Sequence, residues 1–377
     1  MSKQTYKSGT TKQQYQYQSF MPSLIDKPFD WEDRRIDMLL EEANRYLGEL
    51  NAYSTLIPDV DFFIRMHIMK EATKSSRIEG TQTAIEEAVV SEEEVLPERR
   101  DDWKEIQNYT KAMNHAIERL THLPLSVRLL QETHAILLDS VRGEHRNPGE
   151  IRRSQNWIGG SSIADAFFIP PHHDDLPELL SDLEKFWHND GLDIPELIKI
   201  AISHYQFETI HPFLDGNGRT GRLLIALHLT SKGILDKPTL YLSDFFEKNK
   251  ASYYDSLTMV RHTNDLQQWI RFFLSGVRTV AQSSKGTLKQ IVVLRMEAEQ
   301  KLLDTGKRMH RCQELLRFLY SNPIVTSKDI QRRLSVTHPT ANELISMFAS
   351  RGILSGLDLP IRSRAFCFTK YLDLFSS

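Results

Sequence analysis

Apolar residues recur at helical spacing almost without pause from Ile36 onward, and this pattern restricts the chain to a helical architecture. Ile36, Leu39, Leu40, Ala43, Tyr46, Leu47 and Leu50 fall on one face of a 3.6-residue period. The same reading predicts helices over about 59–76, 102–121, 125–139, 176–188, 194–208, 219–232 and 264–304. Strands do not alternate with helices, which disfavours a Rossmann or P-loop fold, and no GxxxxGK[ST] string occurs. The expected class is all-α.

Length and composition add bounds. The 377 residues suffice for two or three domains, and a 40% hydrophobic content supports an ordinary core without disulfide or metal staples. Cys312 and Cys367 form no C-x-x-C pair, so neither a zinc site nor a redox pair is expected, and a reducing compartment fits. The N-terminus shows no apolar leader and the chain no run of about 18 apolar residues. The expectation is a cytoplasmic protein with no membrane partner.

Three stretches depart from the helical pattern. Residues 1–30, rich in Gln, Lys, Tyr and Ser, read as an extended surface arm or a partly disordered lead-in. Residues 142–175 contain Pro148-Gly149, Gly159-Gly160 and Pro170-Pro171, a long connection of the kind that tends to be functional. Within it, Ile163–Ile169 suits either an exposed hairpin or a meander that buries Phe167 and Phe168. The tail reads as a helix near 309–320, a second up to Leu334, the turn Ser335-Val336-Thr337, and a third from His338 to Arg351 ended by Gly352. That is a helix-turn-helix pattern, and Arg362, Arg364, Phe366 and Phe368 suggest a wing hairpin after it. From Lys307 onward there are eleven Lys/Arg against five Asp/Glu, so a tail of +6 follows a body of −9. A basic tail on an acidic body points to a separate role for the tail, nucleic acid among the candidates. The boundaries that follow are an arm and helical region over 1–100, a core over 101–285, a linker helix over 286–306 and the tail over 307–377.

The chemistry concentrates in His211–Arg222, a glycine-rich loop between two helices. Gly216 and Gly218 permit backbone conformations other residues resist and let a ligand approach the main chain. Arg219 opens an apolar helix whose N–H groups form an anion site. Arg219 and Arg222 share a face of its first turn, which suits a polyphosphate. Asp215 is the kind of carboxylate that holds Mg²⁺ beside phosphate oxygens, and His211 can take a proton near neutral pH. Each residue also has an ordinary reading: Asp-Gly-Asn-Gly is turn chemistry, and arginines are common surface charges.

The string HPFLDGNGRTGR resembles the Fic family signature HPFx[DE]GNGRxxR at every defined position, a match far more specific than a lone GxGxxG. His204–Ile210 resembles the family's helix into the loop. Arg152 and Trp157-Ile158-Gly159-Gly160 resemble the segment before its flap, and Ala166, Phe167, Phe168 and Ile169 with Pro170-Pro171 the flap itself. The resemblance covers roughly residues 20–285, and the tail is similar to the winged-helix appendage of many bacterial members. It implies a helical Fic core with a short β-hairpin flap, a C-terminal winged helix-turn-helix domain, and transfer of AMP from ATP to a Tyr, Thr or Ser hydroxyl of target proteins and of the chain itself. Carried over by residue, His211 is the base and Asp215 holds Mg²⁺. Gly216, Asn217, Gly218, Arg219, Thr220, Gly221 and Arg222 form the ATP-binding loop, Tyr253 and Tyr254 border the adenine, and the flap holds the target as an added strand.

Ser75-Ser76-Arg77-Ile78-Glu79-Gly80 resembles the family's inhibitory motif [ST]xxxE[GN], with Ser75, Glu79 and Gly80 in place. By that resemblance Glu79 reaches Arg222 and displaces the terminal phosphate. Gly218 stands where kinase-like relatives carry Lys, which favours AMP transfer over phosphate transfer. Two other readings stay open: removal of AMP from modified proteins with Glu79 acting on water, and a DNA-binding regulator whose body only senses nucleotide. The implied partners are a protein substrate and DNA through the tail, with a homodimer left open. His204 and His211, two helical turns apart, have no third ligand at zinc spacing.

Overall fold

The computed structural model describes residues 6–56, 60–82, 84–139, 145–357 and 364–376. Strands β1 (Gly9–Gln13) and β2 (Gln18–Pro22) come first. The body follows as α1 (Arg34–Leu56), α2 (Val60–Ile78), α3 (Ile85–Ala88), α4 (Arg100–Arg119), α5 (Val127–Leu137), α6 (Leu176–His188), α7 (Glu196–Ile210), α8 (Asn217–Ser231), α9 (Ser243–Lys248), α10 (Lys250–Thr263) and α11 (Leu266–Gln300). The tail comprises α12 (Met309–Ser321), β3 (Ile324–Thr326), α13 (Ser327–Leu334), α14 (His338–Ser350), β4 (Ser355–Leu357), β5 (Ala365–Cys367) and α15 (Thr369–Ser376). The all-α expectation for the body holds. Among the described residues no helix is long and apolar enough to cross a membrane.

α7 is the axis of the body. Every residue from Leu197 to Ile210 is buried, so this helix has no solvent face and must satisfy its polar side chains internally. Lys199 Nζ donates to the Asn189 carbonyl, Gln206 Nε2 to the Ser23 carbonyl, and Thr209 Oγ1 to the Tyr205 carbonyl. Trp269 of α11 closes one side, its indole N–H donating to the Ala201 carbonyl at 2.8 Å. α11 is amphipathic and lies along α1.

Several expectations are refined. The helix expected over 264–304 begins two residues later and is preceded by α10, which the apolar pattern did not single out. Asn264 sits in the left-handed region (φ 61°) and closes α10, and Asp265 then caps α11 by accepting from the Gln268 N–H. The break therefore needs neither glycine nor proline. α11 runs unbroken across residue 285, where a boundary was expected. The start expected near residue 59 for α2 lies outside the described residues.

The arm before Pro22 is an antiparallel hairpin laid on the surface, registered Gly9↔Pro22 to Gln13↔Gln18. It is tied down at Lys12 to Asp175 (2.7 Å), Tyr17 to Gln155 (3.1 Å) and Ser8 to Asn264 (2.8 Å). In the tail, α13 carries a capping box of Thr326 and Asp329, Ser335 turns the chain at φ 51°, and α14 follows. β3, β5 and β4 form an antiparallel sheet in that order. The inward pair on β5 is Ala365 and Cys367, while Phe368, placed in the strand by alternation, leaves it and donates its N–H to the Pro323 carbonyl. Arg362 lies outside the described residues. α15 folds back on the body, where Phe375 meets His67 of α2 with ring centroids 5.1 Å apart.

Candidate active site

α7 ends at His211, whose backbone is left-handed (φ 51°) while its N–H still bonds the Phe207 carbonyl. A histidine held there is under local strain, which surrounding bonds must maintain. The guanidinium of Arg152, only 3% exposed, donates to the carbonyls of His211 (2.9 Å), Ser154 (3.1 Å) and Pro171 (2.6 Å). Asn156 donates to the His211 and Phe213 carbonyls at 3.2 and 2.8 Å. These two side chains cap the helix and bind the flap segment to the loop in one stroke. Burial, followed by the Arg152 charge, lowers His211 to about 4, so its imidazole is neutral at pH 7.

The loop holds its own shape. The Asn217 side chain accepts from the Phe213 N–H and donates to the Phe213 carbonyl, both at 2.8 Å. Gly216 takes φ +73° at the start of α8, where a Cβ would press on His134. His134 stacks on Phe213 with centroids 3.8 Å apart. Its Nδ1 accepts from the Gly149 N–H and its Nε2 donates to the Asp215 carbonyl, so the loop is also pinned to α5. Asp215 Oδ1 accepts from the Gly216 N–H, and the carboxylate remains 46% exposed at the loop's edge.

A cleft of about 1040 Å³ opens over this loop. Its walls include His211, Asp215, Gly216, Asn217, Gly218, Arg219 and Arg222 from the expected site, together with Glu79, Phe167, Phe168, Tyr253 and Tyr254. Thr220 and Gly221 do not line it: the Thr220 hydroxyl bonds the Gly216 carbonyl, and Gly221 packs on Glu208. Tyr253 is buried and its hydroxyl bonds His204, whereas Tyr254 is 41% exposed. The other ring nitrogen of His204 faces the Gly221 carbonyl, which can only accept, so both nitrogens are committed and none is left for a metal.

The flap is a minimal hairpin: Ile158 and Phe168 form one antiparallel bridge, and a 3₁₀ turn over Ile163–Asp165 closes it. Phe167 is 89% exposed and Phe168 is half-buried, which splits the two alternatives for this segment residue by residue. Phe168 lies under the Arg261 guanidinium at 4.0 Å and beside Phe20. The Ile169 carbonyl accepts from the Phe20 N–H, so the N-terminal hairpin extends the flap; Ala166 sits at its turn.

α2 delivers the third group. Arg222, 3% exposed, donates through Nε to the Ser75 hydroxyl (2.8 Å) and through Nη2 to the Ser75 carbonyl (3.0 Å) and Glu79 Oε1 (2.7 Å). α2 ends at Ile78, and Gly80 follows at φ +109°. Burial pushes the Glu79 carboxyl up, but the adjacent Arg222 outweighs this and holds it below the usual range. Arg219 pairs with the buried Glu105 of α4 at 3.2 Å.

Sequence reasoning missed Glu105, Glu208, Arg261 and His134. Glu208 is the most unusual: buried in the cleft wall, with Oε1 lacking any hydrogen bond, and raised to about 7 chiefly by burial. Its signal was a carboxylate inside an otherwise apolar helix.

Residues 38–118 match the Fic/DOC family N-terminal description and residues 124–229 the Fic/DOC family description. The chain belongs to the Fic/DOC family. Among curated relatives of this Fic protein, protein adenylyltransferase fic-1 of Caenorhabditis elegans is 29% identical over 194 residues, 48% of this chain and 34% of the relative. Protein adenylyltransferase Fic of Drosophila erecta is 28% identical over 177 residues, 46% and 32% of the two chains. The match thus spans about a third of these relatives' length. A Fic family protein from Desulfovibrio desulfuricans has a similar fold, with a TM-score of 0.59 at 20% identity over 90% of this chain and 98% of that one.

Proposed function

We propose that the chain transfers AMP from ATP to a hydroxyl side chain of a target protein, itself included, and that Glu79 restrains this transfer. The observation that carries the reading is the convergence on one cleft of a neutral, half-buried histidine and the first turn of α8 with its two arginines. The adenylyltransferase names of the curated relatives support the same reaction.

The triphosphate lies along the start of α8, where main-chain N–H groups, Arg219 and Arg222 offset the charge that grows on the leaving pyrophosphate. The target hydroxyl oxygen attacks the α-phosphorus, the bond to the bridging oxygen of the β-phosphate breaks, and the hydroxyl proton passes to His211. Arg152 and Asn156 act on His211 by holding its carbonyl, which fixes the ring's place on the cleft. Asp215 suits Mg²⁺: a half-exposed carboxylate beside a phosphate loop is the donor this ion takes together with phosphate oxygens and water. When bound, Mg²⁺ supplies charge neutralisation on the phosphates. Tyr254, on the rim, and Tyr253 behind it border the space for the adenine. The target segment pairs with the flap as an added strand.

A second reading, removal of AMP from modified proteins, is supported by one feature: the Glu79 carboxylate opens on the same cleft as His211 and can direct a water. For the nucleotide-sensing DNA regulator, the expected recognition helix α14 carries Glu343 and no Lys or Arg, which weighs against it.

Incubation with α-labelled and γ-labelled ATP decides among these. AMP transfer labels protein from the α position alone, and His211→Ala abolishes the label while ATP binding persists. Label from the γ position, or full labelling by His211→Ala, overturns the assignment. Release of AMP from pre-labelled chain by the wild type and not by Glu79→Gly establishes the second reading.

A further inference from the structure

The flap leaves through Pro170 and Pro171, and the residues after them carry chemistry that the α8 loop does not use. The Arg152 guanidinium donates to the Pro171 carbonyl at 2.6 Å and the Gln155 amide to the Pro170 carbonyl at 3.0 Å, so the chain reaches His172 already anchored. A 3₁₀ turn over His173–Asp175 then leads into α6. At this turn, donor atoms of His172, His173 and Asp174 all lie within 4.8 Å of one another.

The spacing suits a coordination shell. His172 Nδ1 stands 3.3 Å from Asp174 Oδ2, and His173 Nε2 stands 3.6 Å from Asp174 Oδ1. Donors held about 2.0–2.1 Å from a tetrahedral zinc ion stand roughly 3.4 Å apart. The Asp174 N–H also points at His172 Nδ1, but 3.4 Å is longer than the usual hydrogen bond, so that lone pair is only loosely engaged. His173 Nδ1 is buried without a hydrogen-bond partner, which leaves Nε2 as the ring's outlet. Protonated imidazoles would also attract the carboxylate. The two ring centroids, however, are 4.0 Å apart, and two imidazolium charges so close repel each other. One divalent ion serves both nitrogens and the carboxylate at once.

We infer that His172, His173 and Asp174 bind a divalent transition ion of the zinc type, with water completing the shell. Two imidazoles and a carboxylate suit Zn²⁺ and Co²⁺, whereas Mg²⁺ prefers oxygen alone. The imidazoles are 24% and 30% exposed and the carboxylate 80%, so ion and water reach the site from solvent. With no outer partner on His173 Nδ1, the affinity is moderate, in the micromolar range. The ion stiffens the turn between the flap and α6, beside the Lys12–Asp175 contact of the arm. Cysteine spacing speaks only to thiolate sites and does not bear on this one. The site stands independently of the AMP-transfer reading, since none of its ligands lines the catalytic cleft.

Calorimetric titration of Zn²⁺ into the full chain, stripped with chelator and held at pH 7.5 in millimolar Mg²⁺, tests the site. The expected result is one saturable micromolar site that Mg²⁺ does not occupy. His173→Gln and Asp174→Asn each remove a ligand and weaken it at least about tenfold. His172→Asn does the same while keeping a good capping residue at the start of the turn, so the fold stays intact. Co²⁺ in place of Zn²⁺ gives visible absorption bands in the wild type that the variants lose. Zn²⁺ also raises the urea midpoint of the wild type and not that of the variants. No Zn²⁺ binding by the wild type, or binding of equal strength in the variants, overturns the site. Binding that appears only when Mg²⁺ is removed overturns its assignment to a transition ion.

Discussion

A Cβ on Gly218 would collide with Glu79 Oε1 and stand 3.0 Å from Arg222 Nη1, so the lack of a side chain there lets the Glu79–Arg222 pair close over the start of α8. The pair occupies the guanidinium that the proposed reaction assigns to phosphate. On the proposed reaction ATP still reaches the loop but with its α-phosphate displaced, and geometry is worth many powers of ten in such reactions. Glu79→Gly should raise AMP incorporation at least about tenfold, roughly 1.4 kcal/mol in barrier. Arg222→Ala should be inactive, and the double variant no better, because in the proposed reaction the arginine serves catalysis as well as restraint. Labelled AMP incorporation by the four proteins checks this: equal rates for wild type and Glu79→Gly remove the inhibitory role, and an active double variant removes that of Arg222. These residues were legible because each belongs to a dense string. Glu208 was not: its significance is burial without a partner on Oε1, which depends on Gly221 of another helix pressing against it.

At the scale of elements, the sequence showed the helices that have one apolar face and blurred the rest. α6 was read at its observed bounds, while α10 escaped because only Tyr253, Leu257 and Val260 of its residues are buried, a stripe too thin to register. The β1–β2 hairpin was invisible for a related reason: its first strand has four exposed residues in five, so no alternation marks it. It is nevertheless the outer support of the flap, through the Phe20 N–H to the Ile169 carbonyl and the Phe20–Phe168 ring contact at 5.9 Å. If the flap presents the target, loosening it should cost target capture and spare the nucleotide. Phe20→Ala, made in the Glu79→Gly background, is expected to raise KM for a protein substrate about two- to tenfold, the scale of one aromatic pair. KM for ATP should not change. An unaltered protein KM would show that the hairpin does not support target binding.

Across the whole molecule, burial of histidine sets the response to acid. Five histidines spread over the body are held below their ordinary value of 6.5, each chiefly by burial: His67, His134 and His211 to about 4, His204 and His228 to about 3. Below pH 6.5 the unfolded chain binds protons at these positions and the native chain does not. Stability is therefore fully present above pH 6.5 and is lost as pH falls toward the folded values. Each histidine costs roughly 2 kcal/mol by pH 5 on this linkage. Glu208 works the other way: its folded value of about 7 exceeds the ordinary 4.5, so the native state gains a proton first and is favoured as pH falls from 7 to 4.5. Glu71 and Asp182, also raised chiefly by burial, act in the same sense as Glu208, but five imidazoles outnumber these three carboxyls, and the net loss is several kcal/mol, comparable with the whole stability of a typical domain. The urea midpoint should fall steeply from pH 7 to pH 5. His228 offers the control, since neither of its ring nitrogens makes a hydrogen bond; the ring meets the edge of Trp187 and its Nε2 lies 3.8 Å from Glu196 Oε2. His228→Leu should reduce the proton uptake on unfolding by close to one between pH 6.5 and pH 4, read as a shallower slope of stability against pH. A midpoint that holds steady to pH 5, or a His228→Leu slope equal to wild type, would mean that these rings open to water in the native state and carry no such linkage.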